Sequence, residues 1–248
     1  MSEVLLAEQR GPVRILTLNR PDIRNAVDSE LATRLGDALE DAAGDNGVRV
    51  VIVTGAGDTF CAGADLAAAS RGDRPHHRDR SKDWGFAGYV RHAVSKPTIA
   101  AVNGPAVGGG VEIVLASDLA VAAESAYFRL PEVGHAIFPA AGGAFRLPAQ
   151  VPRKIGLEMV LTGSTLDATR AAELGLVNRV VQPADVLDAA LELARRIAEG
   201  NPLAVQAAKR VAIGMDGTAV PAETESWSRS DREWEQLRAR RQARLAGP

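Results

Sequence analysis

The chain has 248 residues, of which 46% are hydrophobic and 24% charged; that is apolar enough to bury a core and excludes a disordered protein. Lys and Arg number 29 against 31 Asp and Glu, a net charge of -2, so no whole-chain attraction draws it to nucleic acid or to an anionic membrane. The length fits one large domain, or one domain with an appendage.

Met1-Ser2-Glu3 begins acidic and leads toward a strand pattern, so no signal peptide is expected. No apolar run approaches the roughly 20 residues of a bilayer span. Cys61 stands alone and has no partner for an internal disulfide, which fits a reducing compartment. None of the four histidines pairs with it at a zinc-ligand spacing. A cytoplasmic protein without a metal site is expected.

In chain order, Val13–Leu18 (VRILTL) reads as a strand. Asp28 or Ser29 is placed to cap a helix with Leu31, Leu35, Leu39 and Ala42 at helical spacing. The β-branched run 48–54, ending at Gly55, predicts a buried strand. Residues 67–96 break the pattern. Their polar, breaker-rich run 71–80 (RGDRPHHRDR) predicts an exposed, mobile loop leading to a helix before Lys96-Pro97. Such a loop is either a plain surface excursion or a lid over a ligand. Thr98–Val102 reads as a further strand and 119–122 as a weaker one. Strands alternating with helices argue for an α/β core. From about residue 153 the pattern is helical. Val186, Ala190, Leu193 and Ile197 form a stripe after a start at Asp185, and Trp227, Trp234 and Leu237 mark a final helix. The organisation read from this is a core over 1–195 and a helical region over 196–248, with no internal repeat.

Several catalytic motifs are absent. Gly55-Ala56-Gly57-Asp58-Thr59-Phe60 starts like a dinucleotide fingerprint, but Phe60 takes the third glycine position. There is no Gly-Lys-Ser/Thr phosphate loop, no Gly-x-Ser-x-Gly elbow and no His-Glu-x-x-His. Two glycine-bearing turns stand out instead. One is Phe60-Cys61-Ala62-Gly63-Ala64-Asp65-Leu66, directly after a strand. The other is Asn103-Gly104-Pro105-Ala106-Val107-Gly108-Gly109-Gly110-Val111-Glu112, between a strand and a helix. Consecutive glycines entering a helix cost chain entropy and make sense where a ligand approaches the backbone. One free N–H from each turn would form an oxyanion hole; tight strand–helix packing is the other reading of either turn by itself.

Two carboxylates shift that balance. Glu112 lies three residues after Gly109, on the same helical face. Glu132 follows Pro131 among apolar neighbours, where burial raises a carboxyl into the useful acid–base range. Either acid alone would be an ordinary surface or ion-paired residue. Both together with the two turns are specific.

These residues resemble the enoyl-CoA hydratase/isomerase (crotonase) superfamily, over about residues 3–213. Arg20-Pro21-Asp22-Ile23-Arg24-Asn25-Ala26 looks like its Arg-Pro…Asn-Ala segment, and 60–66 and 101–112 like its two oxyanion motifs. Pro131-Glu132 through Pro139-Ala140-Ala141-Gly142-Gly143 and Arg146-Leu147 resembles its second catalytic segment. Leu161-Thr162-Gly163 and the run 171–178 (AAELGLVN) are similar to its later signature. The resemblance implies an α/β spiral of ββα units with a C-terminal helical region used in assembly, hence a homotrimer or a dimer of trimers. It implies an acyl-CoA thioester substrate, with CoA part of the substrate and no separate cofactor. By the same carry-over, the Ala64 and Gly109 N–H groups hold the thioester oxygen. Arg24, Ala26, Ala62, Asp65 and Leu66 line the CoA site. Glu112 activates water and Glu132 delivers a proton to C2.

Retention of both acids favours hydration of a 2-enoyl-CoA. The alternatives are a Δ3,Δ2-enoyl-CoA isomerase using Glu132 alone, a carnitinyl-CoA-type dehydratase, and a non-catalytic acyl-CoA-binding or RNA-associated relative. Ala140 stands where the family often has glycine, and His135 is either a tuner of Glu132 or a structural contact. Cys61 reads as a packing residue beside the first turn. The family's usual C-terminal element is missing or replaced, which leaves the CoA end of the site more open. Arg238, Arg240, Arg241 and Arg244 read as a solvated helix face, a substitute contact for CoA phosphates, or a weak nucleic-acid patch.

Overall fold

An antiparallel hairpin opens the chain: β1 (Leu5–Arg10) pairs with β2 (Val13–Leu18) across a turn at Gly11. The computed structural model describes residues 3–215 and 220–246, without the side chains of 81–82 and 243–246. Met1 and Ser2, from the N-terminal reading, and the Arg244 side chain therefore lie outside the described residues. Helix α1 (Ser29–Gly44) starts where the sequence places it: the Asp28 carboxylate accepts the Leu31 N–H at 2.9 Å, and Leu31, Leu35, Leu39 and Ala42 face the core. β3 (Val50–Gly55), α2 (Leu66–Ser70), α3 (Ser81–Trp84) and β4 (Thr98–Val102) follow. Next come β5 (Ala106–Val107), α4 (Gly109–Ala116), β6 (Leu119–Ala123) and β7 (Tyr127–Arg129). After a 3-10 turn at Glu132–His135 the chain forms α5 (Gly143–Gln150), α6 (Arg153–Thr162), β8 (Thr165–Asp167) and α7 (Ala168–Glu173). β9 (Arg179–Val181), α8 (Val186–Ala198), α9 (Pro202–Ile213) and α10 (Pro221–Ala246) complete it.

The main sheet runs β1-β2-β3-β4-β6-β9, parallel from β2 onward. Its central strands are buried on both faces, which explains their near-continuous Val, Ile and Ala runs. α8 packs against it through Val186, Ala190, Leu191 and Ala194. A second, shorter ladder climbs beside the sheet: Val27 bridges to Ala64, Cys61 to Ala106, β5 to β7, and β7 to β8. Each turn of the chain thus adds one long strand, one short rung and a helix, the spiral of ββα units that the resemblance implies. Among the described residues no helix is long and apolar enough to cross a membrane.

Three expectations are corrected. The helix expected before Lys96-Pro97 is only the short α3; residues 85–96 continue in turns and irregular backbone, where Gly85, Ala87 and Gly88 take positive φ. Nor is 67–96 an exposed loop throughout: Phe86, Ala87, Tyr89, Val90 and Val94 are buried and anchor its second half. The region after 153 is not purely helical either, since β9 extends the main sheet and β8 the second ladder.

Candidate active site

The first glycine turn is held by its neighbours. Asn25 is fully buried, and its side-chain amide donates to the Ala56 and Thr59 carbonyls at 2.9 and 2.7 Å while its oxygen accepts the Arg20 N–H. Arg20 lies 2.7 Å from Asp28 and 3.2 Å from Asp65, so one guanidinium ties the cap of α1 to the cap of α2. The stretch 24–27 then runs beside 62–65, with a bridge from Val27 to Ala64. The Ala62 N–H donates to Arg24, the Val27 N–H to Gly63, and the Asp65 N–H to Val27. This alternation leaves the Ala64 N–H without an acceptor among the described residues.

The second turn docks on the first. The Val107 N–H donates to the Cys61 carbonyl at 2.9 Å, and the Gly108 N–H to Arg129 at 2.8 Å. Gly108 has φ +55, and α4 begins at Gly109, whose N–H likewise finds no acceptor among the described residues. A Cβ on Gly63 would lie 2.9 Å from the Gly109 nitrogen, and one on Gly110 would lie 2.2 Å from the Cys61 carbonyl oxygen. The glycines therefore serve close backbone contact, and that contact sets two unclaimed N–H groups on adjoining turns. Cys61 is a packing residue there: burial pushes its thiol up to about 12.

Glu112 is 3% exposed, and its Oε1 accepts the Gly143 N–H at 2.9 Å. Burial, and then the charge of Glu132, push it up to about 8, against the opposing pull of the Gly143 and Ala141 N–H groups. Glu132 follows Pro131 at the start of the 3-10 turn, and burial pushes it up to about 7. Its Oε2 is buried with no hydrogen-bond partner among the described residues, and its Oε1 would lie 3.1 Å from a Cβ on Gly108. The structure thus gathers both acids around the entrance of α4. His135 is exposed one turn after Glu132.

The residues expected at the CoA site share one locality. Arg24 is exposed, with φ +55, and Leu66 is 68% exposed on the first turn of α2. Ala26 is buried and Ala62 half-buried. The Asp65 carboxylate caps α2 and pairs with Arg20, so it acts on this site through the fold. Sequence reasoning gave no role to Arg20, Asn25 or the Gly143 N–H. Each had a signal: Arg20 and Asn25 stand in the Arg-Pro…Asn-Ala segment, and Gly143 in the second catalytic segment.

Two free N–H groups beside two acids of raised proton affinity define a site for acid–base chemistry next to a carbonyl that gains negative charge. The model of the enoyl-CoA hydratase/isomerase family matches residues 8–226. A carnitinyl-CoA dehydratase of Salmonella arizonae is 44% identical over 216 residues, covering 85% of this chain and 80% of that protein. A crystal structure of carnitinyl-CoA hydratase from Mycobacterium avium superposes with a TM-score of 0.94 at 52% identity, covering 96% of this chain and 91% of that one. An enoyl-CoA hydratase from Mycobacterium tuberculosis gives 0.81 at 40% identity, over 95% and 89%. The chain belongs to the enoyl-CoA hydratase/isomerase family.

Proposed function

We propose that this enzyme is a hydro-lyase that reversibly adds water across the C2–C3 double bond of a 2-enoyl-CoA thioester. The pairing of Glu112 and Glu132 beside the Ala64 and Gly109 N–H groups carries this reading. The two N–H groups receive the thioester oxygen and polarise C1, which makes C3 electrophilic. Glu112 takes a proton from water as its oxygen bonds to C3, and the C2–C3 π electrons move into an enolate. Glu132 then gives its proton to C2. The proton gained by Glu112 equals the one lost by Glu132, so the pair returns to its starting state by exchanging one proton. These steps are acid–base chemistry on the substrate's own thioester and call on no separate cofactor.

A Δ3,Δ2-isomerase would need only Glu132, and the burial of Glu112 with its own N–H donors argues for a second working acid. Run in reverse, the same steps use Glu132 as the base for C2 and Glu112 as the acid for a departing hydroxyl. Relatives at this level of identity are named carnitinyl-CoA dehydratase and hydratase, which makes carnitinyl-CoA the first 3-hydroxyacyl thioester to test.

The proposed assembly is a homotrimer, singly or paired. α9 is at most half-buried along its apolar residues and leaves Leu203 and Val211 exposed, as does α6 with Leu161. A cytoplasmic setting suits the single buried thiol. The functional test is loss of the enoyl-thioester absorbance over a panel of CoA thioesters. Hydration of at least one member supports the reading; thioester binding without turnover of any member would favour the acyl-CoA-binding alternative.

A further inference from the structure

α10 lies across the segment that holds Glu112. The Ser230 hydroxyl, on the one residue of α10 that is buried among those whose side chains are described, donates to the Ala140 carbonyl at 3.0 Å. The Trp227 ring stands edge-on to Phe145 at 4.9 Å, and a Cβ on Gly142 would meet it at 3.1 Å. Trp234 approaches Phe138 at 6.1 Å. Two forked ion pairs flank these contacts. Glu223 accepts from Arg146 at 2.8 and 2.6 Å, and Asp231 accepts from Arg91 at 3.3 and 2.5 Å. Both guanidinium groups lie over Trp227, at 4.2 Å for Arg91 and 5.1 Å for Arg146.

These contacts from α10 converge on residues 138–146 and on Arg91. That stretch includes Gly142, with φ +109, followed by Gly143. Two glycines at this helix start give up the most backbone freedom on ordering, so contacts from outside the turn help to fix it. Its Gly143 N–H must stay aimed at Glu112 within a fraction of an ångström for acid–base work. An apolar cover would need only the aromatic contacts. It would not need a buried hydroxyl spent on the Ala140 carbonyl.

We infer that α10 is a positioning strap: Ser230 and Trp227 fix Ala140 and Gly142, and so aim the Gly143 N–H at the Glu112 carboxyl. What Glu112 does once aimed rests on the hydro-lyase reading above. The charged groups acting on Glu112 are Glu132 and Arg146, and α10 bears on the second of these through Glu223. Ser230 and Trp227 are positioning residues, since each acts through the turn.

The test uses the full chain with Ser230→Ala and Trp227→Phe. Arg229→Ala serves as the control, since Arg229 is exposed on the same helix and pairs with Glu225. Steady-state kinetics are measured on a thioester that the unmodified enzyme turns over. Separately, carboxyl ¹³C NMR follows the Glu112 titration in the free protein, assigned by its loss in Glu112→Gln. Expected is a fall in kcat of about tenfold for Ser230→Ala and Trp227→Phe with KM within about twofold, and a Glu112 titration moved to higher pH as its N–H donors loosen. The control should match the unmodified enzyme. A lower melting temperature with kcat and titration unchanged would make α10 a structural cover and overturn the strap. A rise in KM alone would make it a substrate contact and overturn it too. If the unmodified enzyme hydrates no thioester, the functional reading fails. The titration still decides the strap: a raised midpoint upholds it, and an unchanged one overturns it.

Discussion

Gly63 and Gly109 meet backbone to backbone, so that a Cβ on Gly63 would stand 2.9 Å from the Gly109 nitrogen. The two turns are therefore one unit, and the separation of the Ala64 and Gly109 N–H groups depends on there being no methyl group at Gly63. Gly63→Ala would push the turns apart and strain its own backbone at φ +86. Expected is a fall in kcat of about 10²- to 10³-fold, the scale of one lost oxyanion donor, measured beside a melting curve. Gly109→Val is a less clean probe: a Cβ there would lie 2.2 Å from the buried Phe86 ring, so activity and melting temperature should fall together.

Glu112→Gln and Glu132→Gln should each lower turnover by about 10²-fold or more, with thioester binding largely kept. Glu112 also makes a stability prediction whose sign is fixed. Its folded value is about 8 against 4.5 ordinarily. Below about pH 4.5 the group is protonated in both states. Between 4.5 and 8 the unfolded chain has released a proton that the folded chain keeps, so stability falls as pH rises. Glu112→Gln removes that slope. The variant should melt above the unmodified enzyme at pH 8 and higher, by on the order of a few kcal/mol, and match it near pH 4. Parallel melting curves from pH 4 to 9 would contradict this.

Arg20 links two helix caps through Asp28 and Asp65. Removing it leaves two largely buried carboxylates without their cation, a loss that runs to about 3 kcal/mol for partners of this burial. Arg20→Ala is expected to lower stability by that order and to weaken thioester binding by displacing Ala64. Arg20→Lys should recover only part, since one ammonium does not reproduce the fork. Denaturant titration and a thioester binding isotherm measure the two effects.

Arg238, Arg240 and Arg241 are exposed on α10, as a solvated helix face requires. Replacing all three by alanine should leave CoA affinity and its salt dependence unchanged. A shallower salt slope would instead assign them to the CoA phosphates.

Much of this was legible in the sequence, for physical reasons that also explain the gaps. α1 announces itself because its cap and its apolar stripe are local signals, and the buried strands because their β-branched runs are continuous. The two glycine turns and both glutamates stood out because glycine clusters at a strand–helix junction are costly without a purpose. β5, β7 and β8 were not legible: they have two or three residues each, and their partners are distant in the chain. The anchor at Phe86 was hidden behind the polar run 71–80. The bond from Gly143 to Glu112 spans 31 residues, and Ser230 reaches Ala140 across 90. No spacing rule covers such contacts, because tertiary packing alone creates them.

The proposed reaction adds water across C2–C3 with both glutamates at work. Its most direct test is the turnover of a 2-enoyl-CoA in D₂O enriched with ¹⁸O, followed by mass and NMR analysis of the product. The account predicts one ¹⁸O at C3 and one deuterium at C2, with both incorporations lost in parallel in Glu112→Gln. Deuterium entering at C2 or C4 with no ¹⁸O at C3, at a rate that Glu112→Gln leaves intact, would show proton shuttling by Glu132 alone and contradict it.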